Sequence, residues 1–364
     1  MICIAAFVIL LIIVLCLPII RIFSRTTADK IWDLFKKSTY CVSRRVTLRK
    51  CDSSFKDDIK NSILRKVVLK HPTWVKPVSR IIEIVSVVII IIAIWSLLVA
   101  VKAGVSLFVY GTCNATQPSA CVLDSTSACS IDSTPVSFWQ HPLKWTGNWF
   151  AEFGEAFAAI PARLKHWDAT EYLPAQPATN SRNDYYNKYD PKKPVALDIF
   201  DPGCIICNRS FNEQLSSGFL DKYNVALMPY PINTDGKYKF ANSFVIASYL
   251  EATRQVPLPN ATHPAMWLIV KRLFTEKAPN GDGWQNEFNT NMTDAQARAT
   301  LNKWLADFGY TPASITQIEN LARSSDIAKT ISAHEDLVNN TIKTKKIPTM
   351  IYDGQRHEGQ FTAE

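Results

Sequence analysis

Two uncharged apolar runs with a basic loop between them constrain the first hundred residues of this 364-residue chain more than any other feature. Residues 1–20 (MICIAAFVILLIIVLCLPII) carry no charged side chain and are closed by Arg21. Residues 84–101 (IVSVVIIIIAIWSLLVAV) form an 18-residue uncharged run with Glu83 before it and Lys102 after it. Each approaches the length a helix needs to cross a hydrocarbon core of about 30 Å. A cleaved signal peptide would need a basic start and a small-x-small site, and residues 1–20 have neither. A core helix would show one polar face, whereas residues 84–101 are apolar all round. Two transmembrane helices are the expectation.

Charge then sets the topology. Residues 21–80 hold 16 Lys and Arg against 5 Asp and Glu, a net of +11, while the rest of the chain is slightly acidic. So concentrated a basic loop reads as cytoplasmic by the positive-inside rule, with some attraction for acidic headgroups. Everything after about residue 103 is then extracytoplasmic. A basic protein built around a nucleic-acid groove is excluded because the surplus charge sits in one loop. A disordered chain is excluded because 47% of the residues are hydrophobic and 11% aromatic.

The expected organisation is a transmembrane helix at 1–20, a basic cytoplasmic loop at 21–80 and a second transmembrane helix at 81–110. An extracytoplasmic stalk follows at 111–193, then a folded domain at 194–364. Cys3, Cys16, Cys41 and Cys51 fall in the first span and the cytoplasmic loop, the latter pair being expected as reduced thiols. In the stalk, Cys113, Cys121 and Cys129 lie in a Ser/Thr-rich stretch where one structural disulfide is expected. Which two pair is open, and the third thiol is left free or links two chains. A zinc site is weakly supported, since the three lack a tight C-x2-C knuckle. Trp149, Phe153, Phe157, Ile160 and Leu164 recur at helical spacing, broken before Pro161. Two readings of that helix stand: one lying in the membrane interface, and one connecting the span to the folded domain and packing on it. Residues 173–194, polar and with four prolines, read as a linker.

Chemistry is concentrated in residues 195–207. An apolar run, VALDIF, leads through Asp201-Pro202-Gly203 into Cys204-Ile205-Ile206-Cys207 and a helix-compatible stretch. A C-x-x-C opening a helix places its first thiol among unpaired backbone N–H groups at the positive end of the helix dipole. That favours the thiolate, while the second cysteine lies one turn on and can close the ring. Half of a zinc knuckle is the competing reading, but no second C-x-x-C or Cys/His pair follows Cys207. Asp198, six residues before Cys204, is placed to accept the Cys207 proton if buried; otherwise it is an exposed strand residue. Far downstream, KIPTMIYDG (346–354) puts Pro348 before an apolar run and a Gly turn, where a cis proline facing the dithiol, or a plain edge-strand proline, would fit.

FDPGCIIC, a helical segment and KIPTMIYDG together resemble the DsbA family of the thioredoxin superfamily, over roughly residues 194–364. The resemblance implies an α/β thioredoxin-like domain with a helical insertion at about 238–340, preceded by the two transmembrane helices. It implies Cys204 as the attacking thiol, Cys207 as the resolving one, Asp198 as the buried acid and Pro348 as the cis proline. Substrate would meet Ile205, Ile206 and the backbone of Ile347. Two departures stand out. Ile205-Ile206 offers no His or Pro beside the thiol, and no helix follows the Pro348 strand, so either the sequence is truncated or a segment such as 138–172 covers that sheet face.

The function expected is membrane-anchored, extracytoplasmic thiol-disulfide exchange on reduced or misoxidised exported proteins, with a redox partner recycling the dithiol, in a bacterial cell envelope. No metal, nucleotide or nucleic acid is implied. The alternative is a non-catalytic binding or scaffold module in which Cys204–Cys207 is a permanent disulfide. Asn-x-Ser/Thr sequons at Asn114, Asn208, Asn260, Asn291 and Asn339 are read as chance occurrences in a chain rich in Asn and Thr.

Overall fold

The computed structural model describes residues 75–112, 128–131, 137–173, 185–234, 236–259 and 261–363, with isolated positions between 29 and 40. The first expected span, residues 1–20, lies outside the described residues, as do Cys3, Cys16, Cys41, Cys51, Cys113 and Cys121. The chain divides into two units, Met1–Val101 and Lys102–Glu364.

Helix α1 (Val75–Tyr110) contains the second apolar run and is longer at both ends than residues 84–101. Ile84, Ile91, Ile92, Ile94 and Leu97 are all exposed. Among the described residues it is the one helix long and apolar enough to cross a membrane.

In the second unit, the core is a four-stranded sheet, beside which a small pair, β4 (Asn233–Thr234) and β5 (Lys237–Tyr238), stands apart. Strand β2 (Val195–Phe200) is central, parallel to β3 (Asn224–Pro229) and antiparallel to β7 (Thr349–Tyr352), which pairs in turn with β8 (Gln355–Glu358). VALDIF is buried from Ala196 onward because both sheet faces are covered, so it reads as an apolar run rather than an alternating one. Helix α4 (Ile205–Ser216) follows β2 on one face. Between β3 and β7 lies the helical region: Ser243–Gln255, Ala265–Thr275, Trp284–Thr290, Asp294–Asp307, Pro312–Ala322 and Ser325–Asp336. This is a thioredoxin-like α/β fold with a helical insertion.

Local chemistry sets several of these boundaries. Thr293 and Gln296 form a reciprocal capping box at the start of Asp294–Asp307. Ser324 accepts from the N–H of Ile327 and starts a new helix, which splits the apolar pattern at 314–331 in two. Trp284–Thr290 is too short for a periodicity signal. It is nevertheless seated in the core through Phe288, whose ring centroid lies 5.4 Å from that of Trp304.

The stalk contributes more to this domain than its composition suggests. Trp167, Ala169 and Tyr172 are buried in the main core cluster, and the Trp167 N–H donates to the Gly354 carbonyl across 2.8 Å. Residues 167–172 thus cover apolar surface of this domain. Gly354 is required there: its φ is +75°, and a Cβ would lie 2.1 Å from His166 Cε1. The C-terminal part of the expected linker also docks, with Tyr185 bridging to Ala226 at the outer edge of β3. Three tyrosines in YYNKY supply apolar surface that a free linker would not need.

The aromatic helix forms as α2 (Pro142–Ala158), followed by the short α3 (Ile160–Leu164) after a break at Ala159, just ahead of Pro161. Ala156 and Ala159 pack against Val109 and Tyr110 at the end of α1, while Trp139, Phe150 and Phe157 remain exposed. Lys102 pairs with Glu152 at 2.6 Å and sits over the Trp149 ring. Within the second unit, buried Arg356 of β8 donates to the Val109 carbonyl at 3.1 Å.

Candidate redox site

At the C-terminal end of β2 the chain makes a tight turn at Asp201-Pro202-Gly203 before α4. Asp201 organises that turn. One of its carboxylate oxygens accepts from the Gly203 N–H at 2.7 Å and from the Ser243 hydroxyl. The other accepts from the Ile232 N–H at 2.6 Å. Gly203 fits because it has no side chain: a Cβ would lie 2.3 Å from Phe240 Cβ. Two amides of Trp284–Thr290 hold the turn from outside. Gln285 donates to the Pro202 and Cys204 carbonyls at 2.8 and 3.0 Å, and Asn289 to the Gly203 carbonyl at 2.8 Å. From sequence Asp201 reads only as part of a turn, and Gln285 and Asn289 do not stand out. The only signal was an Asx-type turn residue two positions before a glycine.

Cys204 occupies the N-cap of α4 in extended conformation, the helix end at which the first-turn N–H groups have no intrahelical acceptor. Its sulfur is 3.9 Å from the carbonyl oxygen of Ile347. The Ile347–Pro348 peptide is cis, and that 3.9 Å approach puts the downstream motif opposite the C-x-x-C helix although 143 residues separate Cys204 from Ile347. Ile347 is fully buried, Ile205 is exposed beside the dithiol, and Ile206 turns into the core cluster. Of the two apolar residues between the cysteines, Ile205 alone presents a surface to a substrate.

Cys207 is a free, buried thiol. Its sulfur accepts from the Asp201 N–H at 3.4 Å. Burial pushes the thiol well above its usual range, and the charges of Asp201 and Asp198 push it the same way. Asp198 is itself buried in the middle of β2, its Oδ2 accepting from Gln214 Nε2 at 2.8 Å. Burial raises its carboxyl from 3.8 to about 6, with the Gln214 hydrogen bond opposing. Asp201 is likewise raised to about 6 by burial, against its three hydrogen bonds and the nearby Lys239 charge. Two carboxyls that change protonation near neutral pH therefore flank one buried thiol.

The disulfide among the described residues joins a pair that the sequence did not suggest, while any bond between Cys113 and Cys121 lies outside the described residues. Cys204 is bonded to Cys129, 75 residues earlier, and not to Cys207. Cys129 in turn pairs with neither Cys113 nor Cys121. The physical reason is a two-residue strand, β1 (Cys129–Ser130), which joins β6 (Lys346–Ile347) in antiparallel register with Cys129 opposite Ile347. That register brings the Cys129 sulfur to Cys204. Among the described residues no cluster of His, Cys, Asp and Glu is arranged to hold a metal ion.

No family model matches the chain, and no curated protein sequence does so either. Solved structures that it resembles include the thiol-disulfide exchange protein α-DsbA2 of Wolbachia pipientis, at 13% identity with a TM-score of 0.35, covering 50% of this chain and 82% of that one. Chlamydia trachomatis DsbA matches at 17% identity and a TM-score of 0.34, covering 51% and 88%. Proteus mirabilis ScsC in a compact conformation matches at 13% identity and a TM-score of 0.36, covering 62% and 95%. The chain thus has structural matches to DsbA and ScsC thioredoxin-like oxidoreductases over about half its length, at low sequence identity.

Proposed function

We propose that this chain is a membrane-anchored thiol-disulfide oxidoreductase acting outside the cytoplasm on exported proteins. Cys204 is the attacking thiol, Cys207 resolves the mixed disulfide, and Asp198 takes up the Cys207 proton. Extended substrate pairs with the backbone of Ile347 beside Pro348 and touches Ile205. The observation that carries this reading is the convergence at one point of a helix-capping cysteine, the Ile347 carbonyl before a cis proline, and a buried free thiol flanked by two carboxyls. Anchoring is supported by the long apolar helix α1, and the side of the membrane by the basic residues 21–80. The direction of net electron flow follows the redox poise of the compartment and of the recycling partner.

A non-catalytic module is favoured by one observation: Cys204 is already engaged by another cysteine of the same chain, as it would be in a structural staple. One experiment separates the two. The full chain in detergent micelles is mixed with a reduced two-cysteine peptide, and peptide oxidation is followed with and without Cys204→Ser. The enzyme reading expects exchange by the parent and background rates for the variant. Equal rates for parent and variant would overturn it.

A further inference from the structure

Three features surround the Cys129–Cys204 bond, and a simple staple accounts for none of them. First, β1 does not lie against the domain at an arbitrary place. It adds to the edge of β6, Cys129 facing Ile347 and Ser130 facing Lys346, at the position where an extended peptide would be read by its main chain. Second, the segment is gripped from both sides. The Ile131 N–H donates to the Lys345 carbonyl at 3.2 Å, while on the other side Lys239 Nζ donates to the Ser130 carbonyl at 3.0 Å and the Thr234 hydroxyl to the Ile131 carbonyl at 3.5 Å. Ile131 is buried in the core cluster. Third, a buried free thiol, Cys207, lies three residues from the bonded Cys204 on the same helix turn.

From this arrangement we infer that residues 129–131 are a tethered internal substrate: they occupy the peptide groove as a mixed disulfide with Cys204, and an external peptide must displace them. This rests on the oxidoreductase reading above and adds to it a resting state and a selectivity. The groove takes a cysteine followed by a small polar residue and then an aliphatic one, as Cys129-Ser130-Ile131 does.

Opening the latch needs no outside oxidant. The Cys207 sulfur attacks the Cys204 sulfur, the Cys129–Cys204 bond breaks and a Cys204–Cys207 bond forms. The proton that leaves Cys207 passes to Asp198 or Asp201, and the released Cys129 thiolate takes up a proton in turn. One disulfide and one thiol are present before and after. The opened Cys204–Cys207 disulfide then accepts two electrons from an external dithiol, which becomes the oxidised product. Cys207 is kept as the neutral thiol by burial, so the internal exchange is slow and the latched form persists.

The consequence is competition. A tethered thiol acts at an effective concentration on the order of millimolar, so a peptide at about 10 µM meets a roughly 100-fold excess of the internal competitor. The test uses the oxidised full chain in detergent micelles, acid-quenched, alkylated, digested and mapped by mass spectrometry. It is followed by single-turnover oxidation of a reduced peptide carrying two cysteines, one of them in a Cys-Ser-Ile context. The expected linked peptide joins Cys129 to Cys204, and Cys129→Ser is expected to replace it with Cys204–Cys207. That variant should oxidise about 10 µM peptide at least tenfold faster than the parent, with the gap closing at millimolar peptide. Ile131→Pro keeps Cys129 but deletes the N–H that bonds Lys345. It should lower the Cys129–Cys204 fraction and raise the rate in the same direction.

Recovery of Cys129 linked to Cys113 or Cys121, or of Cys204–Cys207 alone in the parent, would overturn the inference. Equal rates for parent, Cys129→Ser and Ile131→Pro would overturn it too, while leaving the oxidoreductase reading intact if Cys204→Ser is inactive. If parent, Cys129→Ser and Cys204→Ser are all indistinguishable from peptide alone, the oxidoreductase reading fails, and the latch with it.

Discussion

Replacing Asp198 by Asn isolates the contribution of a buried carboxyl to both stability and proton transfer. Burial holds the Asp198 carboxyl at about 6 rather than 3.8. Ionising it in the folded protein therefore costs about 3 kcal/mol more than in the unfolded chain. The sign follows from proton binding. Between pH 4 and 6 the folded state binds the proton more tightly, so its contribution is present in full below pH 4. It is lost as pH rises through 6, and above 6 the whole penalty applies. Asn cannot ionise. Its own packing and hydrogen-bond cost is the same at every pH, so the informative quantity is the change in its effect with pH.

Urea unfolding of the oxidised full chain in micelles, followed by tryptophan fluorescence, would be run at pH 4 and pH 8. The Asn variant should gain about 2.5 kcal/mol relative to the parent on going from pH 4 to pH 8, since a little of the penalty is already present at pH 4. Asp201, raised to about 6 as well, and His334 and His357, lowered by burial, titrate over the same interval in both proteins and cancel from the comparison. An effect of Asp198→Asn that is the same at both pH values would refute the reasoning. It would mean that the carboxyl ionises as freely inside the protein as outside. In the exchange assay the variant should slow release of the mixed disulfide while leaving attack by Cys204 largely unchanged.

Two further outcomes are expected. Gly203→Ala would set a Cβ 2.3 Å from Phe240 Cβ, so the turn carrying Cys204 must shift. An overpacking cost of about 1–3 kcal/mol should appear in thermal unfolding, together with slower peptide oxidation. For topology, a reporter enzyme active only outside the cytoplasm should be active when fused after residue 364 and inactive when fused near residue 60. The reverse pattern would place the dithiol in the cytoplasm.

How much of the site was legible follows from how local each signal is. The Cys204-x-x-Cys207 helix start is a four-residue pattern, and Asp198 belongs to the apolar strand immediately before it. Pro348 stands out because a proline directly ahead of an apolar run is unusual. The Cys129–Cys204 bond had no local signature. It depends on a strand of two residues, too short to show alternation, meeting another two-residue strand more than two hundred positions away. Asp201 read as a turn residue, because burial of a carboxylate beside a Pro-Gly turn is decided by Ser243 and Ile232 arriving from elsewhere. Gln285 and Asn289 were invisible for a similar reason: a seven-residue helix offers too little periodicity, and amides give no compositional alarm. The docking of residues 167–172 and 185–190 was hidden by polar neighbours, with a few aromatic rings carrying the burial.

The central claim is that Cys204 and Cys207 form an exchanging pair. Its most direct measurement is the reduction potential of that pair in the full-length Cys129→Ser variant, equilibrated against glutathione buffers, acid-quenched and resolved by thiol alkylation. Disulfide donors and isomerases lie at about −200 mV or above, whereas structural disulfides lie below about −300 mV. The account predicts the first range, with Cys204 alkylating in the native reduced protein. A value in the second range, with neither thiol reactive until the protein is unfolded, would contradict it.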